Sequence, residues 1–432
     1  MNETKRPTTR EDLPPDLPYS EDTSPLARPL TLTMNGKTIP NRICYQPMEG
    51  CDGTAAGAPD ELTRRRYLRF ARGGAGLIWF EATAILPEGR ANPRQMYLSE
   101  ETLDDFAVLI ADIKETCLRE NGYEPVVLCQ LTHSGRYSKP EGTPAPLITH
   151  HKPLFEGDHP LPEDRIVSDD YLDRLPEHFV NSAKLCARAG FDGVDLKACH
   201  GYLLSELLNS YTRPGRHGGS YENRTRVFFD ATRAVRAACG NDLILASRFN
   251  AYDGYPHPFG IGDSGTPGVP DFSEAARIAA DLSALGVSIL NITMGNPYTN
   301  HEVNRPTTLA KTEMPYRSIE RMIAGAEAVA KAAPDAVTVC SGLTFLGNLA
   351  ANVAAGGIQT GKFSMIGFGR QTFAYPDLAR DILHGGMKRD GLCLTCGKCT
   401  AVMRAGSTPG CVIYDKDVYL PLYRENVKHS DC

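Results

Sequence analysis

The run Cys393-Leu-Thr-Cys396-Gly-Lys-Cys399 puts three thiols at a spacing of three on one tight loop, and Cys411 follows after eleven further residues. Three close thiolates and a distant fourth suit a cubane 4Fe–4S cluster, which takes one thiolate per iron. Structural zinc more often pairs its ligands as two separate C-x-x-C knuckles. Spacing alone leaves zinc and unliganded thiols open. A second group is Asp195-Leu-Lys197-Ala-Cys-His200-Gly-Tyr202. Lysine, histidine and tyrosine at one strand end are able to hydrogen-bond a substrate carbonyl and deliver a proton. Capping by His200 and packing by Tyr202 are the plainer alternative. A third group comprises Ser341-Gly342-Leu343-Thr344 and Gly367-Phe-Gly369-Arg370. Glycines where backbone must approach closely, with an arginine beside them, make a phosphate cradle, or else only turns.

These groups need a scaffold. Eight short β-prone runs, at 43–46, 77–82, 125–131, 193–197, 243–249, 287–293, 337–341 and 363–367, recur between helix-like stretches. The amphipathic stretches include 103–119, 178–189, 225–239, 272–285, 319–332 and 347–355. Alternation of this kind is the pattern of a parallel sheet, and eight units predict an α/β fold, the closed (β/α)8 TIM barrel. The Lys197 group then ends the fourth strand. The glycine motifs end the seventh and eighth, where this architecture usually binds phosphate. Asn35-Gly36, between 30–33 and 37–40, predicts a two-residue hairpin closing the barrel bottom. Long Pro-, Gly- and His-rich connections at 137–169 and 251–271 follow the third and fifth strands, on the face where barrels build chemistry. Residues 388–432 carry the cysteines and predict no helix of ordinary length.

Composition sets the class. The 432 residues are 41% hydrophobic and 23% charged, enough for a large core without staples. Lys plus Arg number 46 and Asp plus Glu 52, a net charge of −6 with signs interspersed, which argues against nucleic acid or an anionic membrane as the main partner. No apolar run approaches the ~20 residues of a membrane span, and the polar, Pro-rich 1–29 lacks the apolar core of a secretory signal. Thirteen cysteines, an odd number, fit reduced thiols or metal ligands better than a disulfide framework, so a cytoplasmic location is expected. Cys44, Cys129 and Cys340 in predicted strands, and Cys186 and Cys239 in predicted helices, read as small buried hydrophobes.

Together the motifs resemble the Old Yellow Enzyme family of FMN-dependent (β/α)8 oxidoreductases. The resemblance rests on Pro47-Met48, Glu81-Ala82-Thr83-Ala84, Gln130-Leu-Thr-His133-Ser-Gly135-Arg136 and Phe191-Asp-Gly-Val with His200-Gly-Tyr202. Gly218-Gly-Ser-Tyr-Glu-Asn-Arg224 and Gly369-Arg370 complete it, in order over about residues 28 to 385. The cysteine set resembles the multidomain branch that includes 2,4-dienoyl-CoA reductase, 2-enoate reductase and trimethylamine dehydrogenase. The resemblance implies three segments: a polar extension at 1–29, an FMN-binding barrel at 30–385 and a cluster-binding extension at 386–432.

It also implies roles. Pro47, Met48 and Ala82 would line the isoalloxazine, and Gln130 would hydrogen-bond its pyrimidine edge. Arg248, in Ser247-Arg-Phe-Asn250, would stand beside N1 and C2=O, where a cation stabilises the negative charge of the reduced ring. Gly342, Gly369 and Arg370 would hold the phosphate. His200 would polarise a substrate carbonyl, and Tyr202 would protonate the carbon opposite the hydride.

Three departures stand out. Lys197 replaces the His, Asn or Tyr usual in the family. Glu49 follows Pro47-Met48 where a small or thiol side chain is common. These two are expected either to pair beside the flavin or to leave Lys197 free for substrate. No G-x-G-x-x-G follows the cysteines, so no second nucleotide-binding half is expected. The cluster would then relay single electrons to or from another chain, such as an electron-transfer flavoprotein, a ferredoxin or a separate flavin subunit. Homo-oligomerisation is compatible with all of this. The activity expected is reduction of an activated C=C bond in an enoate, enone or dienoyl compound. Its alternatives are oxidative amine demethylation and a non-catalytic electron-transfer subunit.

Overall fold

A computed structural model describes residues 5–307, 309 and 314–427. Ten strands are present: β1 (Leu30–Thr31), β2 (Thr38–Ile39), β3 (Ile43–Tyr45), β4 (Leu77–Ala84), β5 (Val126–Thr132), β6 (Gly193–Leu196), β7 (Ile244–Tyr252), β8 (Ile289–Met294), β9 (Val337–Cys340) and β10 (Met365–Phe368). The last eight form a closed parallel barrel in sequence order, β10 returning to β3 through Ile366 opposite Ile43. The eight predicted runs fall on these strands. Every residue of β4 and β5 is buried, as expected of strands covered on both faces.

Side-chain alternation divides the core in two. Leu77 and Trp79 point into the barrel with Val126, Leu128 and Ile244, whereas Ile78 and Phe80 face the surrounding helices. Burying each such large apolar side chain contributes about 1.5–3 kcal/mol. Leu32 and Ile39, at the ends of the β1–β2 hairpin, join the interior cluster and seal the bottom. The hairpin differs from expectation in its turn. Its ladder pairs only Leu30 with Ile39 and Thr31 with Thr38, and the connection is wider than two residues. The amide of Gly36 donates to Leu32 O, and the Asn35 carboxamide accepts from the amide of Lys37, so Asn35-Gly36 forms the corner of a longer loop.

Two helical expectations need correction. The stretch read as 178–189 is a helix from Asp169 to Arg188, with Pro176 inside it and Ser168 capping it through the amide of Tyr171. Pro176 is the eighth residue of this helix, so its missing N–H removes one interior hydrogen bond, to the carbonyl of Leu172. Beyond the barrel, a helix spans Lys416–Asn426 where none of ordinary length was expected. Pro421 masks its pattern in sequence, but Tyr419 packs on Val402 and Val412 and settles it.

The described segments before β1 and after β10 both pack against the barrel. Arg65 donates to both carboxylate oxygens of Asp415 at 2.8 and 2.9 Å, and Arg69 also pairs with it. From the other end, Arg6 donates to the carbonyls of Cys393, Phe345 and Thr344 at 2.8, 3.0 and 3.1 Å. Leu13, Leu17 and Leu26 of the segment before β1 are buried. No helix among the described residues is long and apolar enough to cross a membrane.

Candidate active site at the barrel mouth

A cavity of about 1050 Å³, counted to its open mouth, lies over the C-terminal ends of the strands. Pro47, Met48, Glu49, Gln130, Lys197, His200, Tyr202, Arg248, Gly342, Gly369 and Arg370 all line it. Ala82 does not line it. Its side chain is fully buried in β4, and its carbonyl accepts from Gln95 Nε2 at 3.0 Å.

A buried carboxylate that the sequence reading named but gave no role organises the floor. Asp195 on β6 accepts from Gln130 Nε2 at 2.6 Å, Trp79 Nε1 at 2.9 Å and the amide of Arg248 at 2.7 Å. Burial raises its pKa to about 6 against these donors. Because a carboxylate only accepts, it fixes the amide end of Gln130 toward itself and leaves Oε1 as the acceptor left over. Arg248 Nε is buried with no hydrogen-bond partner. An acceptor on β5 and an arginine with an unpartnered Nε on β7, flanking Asp195 of β6, complement a heterocycle with an N–H and an anionic edge, such as the ring of FMN.

Gly367 is explained differently from the sequence reading. A Cβ there would fall 1.8 Å from Gln46 Nε2, so this glycine makes room for the reciprocal Gln46–Asn291 amide pair beneath the cavity. Gly342 adopts φ +88°, the left-handed conformation glycine tolerates, and its backbone stays open at the cavity wall.

The loop after β3 is pinned from behind. Arg66 Nη2 lies 2.8 Å from Asp52 and 2.7 Å from Glu81, Arg66 Nη1 donates to Met48 O, and Glu81 accepts from the amide of Gly50 at 2.7 Å. All three charged side chains are buried, and burial lifts Glu81 to about 7 against the pull of Arg66. Removing one partner from such a set leaves an uncompensated buried charge. The network thereby fixes Glu49 at the cavity wall.

Glu49 meets the end of β6. Its Oε1 lies 3.2 Å from Lys197 Nζ and accepts from Tyr202 Oη at 3.0 Å. The ion pair anticipated between Glu49 and Lys197 is therefore formed. Lys197 Nζ also stands 3.7 Å from the centroid of the Tyr202 ring. Tyr202 Oη is 3.1 Å from Tyr298 Oη, and Tyr298 stacks on Tyr137 with centroids 4.0 Å apart. Burial and the Glu49 carboxylate push the Tyr202 hydroxyl well above its usual range. His200 Nε2 lies 3.2 Å from Thr293 Oγ1, and burial lowers its pKa well below the ordinary value, so the imidazole is neutral. Tyr137 and Thr293 were missed because each arrives from a distant strand end.

The four cysteines line a separate cavity of about 370 Å³, with Arg370 and Phe373. Cys399, Arg370 and Phe373 also line the larger cavity, so the two share a wall. The amide of Thr395 donates to Cys393 Sγ at 3.4 Å and that of Tyr414 to Cys411 Sγ at 3.3 Å. Burial raises Cys393 to about 11. Among the described residues no three His, Cys, Asp or Glu side chains converge closely enough to hold a single metal ion. Only three non-glycine residues among those described have left-handed φ: Cys51, His200 and Thr395, at +47°, +65° and +54°. Each lies in or next to a cavity loop, where such strain concentrates.

Other motif residues serve the fold. Arg136 pairs with Glu156 and Glu206 at 2.6 Å each, and Ser220 caps the helix Tyr221–Cys239.

Comparison with known proteins agrees with this fold. An NADPH dehydrogenase of Clostridium acetobutylicum is 27% identical over 274 residues, 63% of this chain and 76% of that protein. A 2-naphthoyl-CoA reductase in complex with 2-naphthoyl-CoA superposes with a TM-score of 0.75 at 18% identity, over 91% of this chain and 57% of that one. Histamine dehydrogenase from Rhizobium sp. 4-9 gives 0.69 at 18% identity, over 90% and 52%. The signature of the NADH:flavin oxidoreductase / NADH oxidase family matches residues 25–388, and the chain belongs to that family of flavin-dependent oxidoreductases.

Proposed function

We propose that the barrel-mouth cavity holds FMN and reduces an activated C=C bond, in an enoate, an enone or a dienoyl thioester. Gln130 Oε1 and Arg248 would meet the ring's polar edge, Pro47 and Met48 its flank, and Gly342, Gly369 and Arg370 its phosphate. Bound there, FMN supplies hydride chemistry. The chain's own residues handle the substrate and the proton. Tyr202 Oη holds a proton between Glu49 and Tyr298, 3.0 and 3.1 Å away. Neutral His200 and the Lys197 ammonium line the same wall, positioned to polarise a carbonyl. One observation carries this reading: Tyr202, Lys197 and His200 open into the same cavity as Gln130, Arg248 and Arg370.

The cysteine loop is read as a 4Fe–4S site. Its donor set is in keeping with this: four thiols line one cavity, and backbone amides are aimed at two of the sulfurs. The wall that Cys399 shares with the larger cavity supports a one-electron relay toward a separate carrier protein.

The test is an anaerobic screen at the flavin absorption band with enoates, enones and methylated amines side by side. Reoxidation of the chemically reduced protein by an enone or enoate is expected. Bleaching of the oxidised protein by an amine, with no response to any activated alkene, would replace reduction by amine oxidation.

A further inference from the structure

The end of β6 carries a cation in an unusual setting. Lys197 is 4% exposed, its ammonium on one ring face of Tyr202 at 3.7 Å and against Glu49 Oε1 at 3.2 Å. An aromatic face and a carboxylate are the two groups that recognise a small ammonium ion in a desolvated pocket. Both are held independently of Lys197. Glu49 sits on the loop pinned through Arg66 and Glu81, and Tyr202 is bonded to Tyr298, which stacks on Tyr137. The elements of an ammonium site are thus built, and a residue of this chain fills it.

We propose that Tyr202 and Glu49 form an ammonium-binding site whose permanent occupant is the Lys197 side chain, so that this one residue excludes cationic amines and assigns the cavity to neutral or anionic substrates. The inference deepens the reading of the cavity as a substrate site and rests on it. A free amine entering the wild-type cavity meets a fixed positive charge with its carboxylate already paired. A carbonyl or carboxylate meets a donor. Replacing Lys197 by a short side chain leaves an unpaired carboxylate beside an open ring face, joined to the strand by the channel of the lysine stem. Primary alkylammonium ions have the shape of that channel and the charge of its end.

The experiment uses the flavin-loaded protein and calorimetric titration, so its readout is binding and not turnover. n-Butylammonium and trimethylammonium are the probes, with 1-butanol as the uncharged control. Wild-type protein is expected to give no saturable binding of either cation. Lys197→Ala is expected to bind n-butylammonium at least tenfold more tightly than 1-butanol, and Lys197→Ala with Glu49→Gln to lose that preference. Equal cation binding by wild type and Lys197→Ala would overturn the proposal, as would a folded Lys197→Ala that binds no cation. Glu49→Gln alone gives an independent arm should the alanine variant not fold. It frees the Lys197 charge, and benzoate affinity is expected to rise about tenfold; no rise would overturn the proposal. These outcomes stand apart from the alkene screen, because an enzyme inactive on every alkene would still answer the binding question.

Discussion

The two cavities over the barrel share a wall yet are assembled in opposite ways. The larger draws most of its lining from many separate strand ends between Gln46 and Phe373, with Cys399, Thr400, Met403 and Pro409 added from the segment after the barrel. The smaller takes its four thiols from Cys393 to Cys411, a single stretch outside the barrel. The first is built on strand ends and backed by the buried Arg66–Asp52–Glu81 network. The second is tied to the barrel by individual polar contacts: Arg6 and Gln371 at the Cys393 backbone, Thr307 at Thr395 O, Thr408 at Cys51 O, and Arg65 and Arg69 at Asp415. Damage to the first should therefore be local and chemical, and damage to the second should detach a module.

The sharpest way to separate the two regions is Cys396→Ser. It is expected to abolish iron and sulfide content and to slow reduction by a one-electron donor such as reduced methyl viologen more than tenfold. FMN content should stay that of wild type. Loss of FMN together with iron would mean that the shared wall makes one site of the two.

Within the larger cavity, Tyr202→Phe removes the hydroxyl and keeps the ring. Alkene reduction is expected to fall about 10²–10⁴-fold, the usual worth of a positioned proton donor, with little change in substrate affinity. Turnover that survives intact would move the proton to another group.

A subtler test concerns the floor. The Asp195 carboxylate titrates near 6 and is ionised above that pH, when it accepts from Gln130, Trp79 and the Arg248 amide. Acidification through 6 removes the charge that orients these donors. FMN affinity measured by fluorescence should weaken below pH 6, by at most about tenfold per unit. Asp195→Asn should flatten that dependence, and the cysteine loop should not respond to it.

The smallest effect is expected at the attachment. Asp415→Ala breaks the pairs to two half-exposed arginines, at a cost of about 1 kcal/mol. Limited proteolysis should then cut the segment after residue 388 sooner, leaving the barrel's melting transition in place.

What could be read before folding follows from range. The eight strands were legible because a parallel strand buried on both faces is a short continuous apolar run. The cysteine loop was legible because ligand spacing is a property of neighbours in sequence. The helix Asp169–Arg188 was cut short because Pro176 reads as a boundary, and only the cap at Ser168 reveals the earlier start. Ala82 was placed at the cavity by its motif, whereas the register shift between Phe80 and Ala82 accompanies its burial in the strand.

Sequence by itself determined the barrel, the four thiols and the side chains at each strand end, since these depend on residue type and on spacing within one element. Only the tertiary structure decided that Glu49 from the loop after the first barrel strand meets Lys197 and Tyr202 from the end of the fourth, that Asp195 orients Gln130 and accepts from the Arg248 amide, and that Cys399 borders both cavities. Such meetings depend on barrel closure and stagger, which bring residues distant in the chain within 3 Å of one another, and no local pattern in the chain encodes that distance.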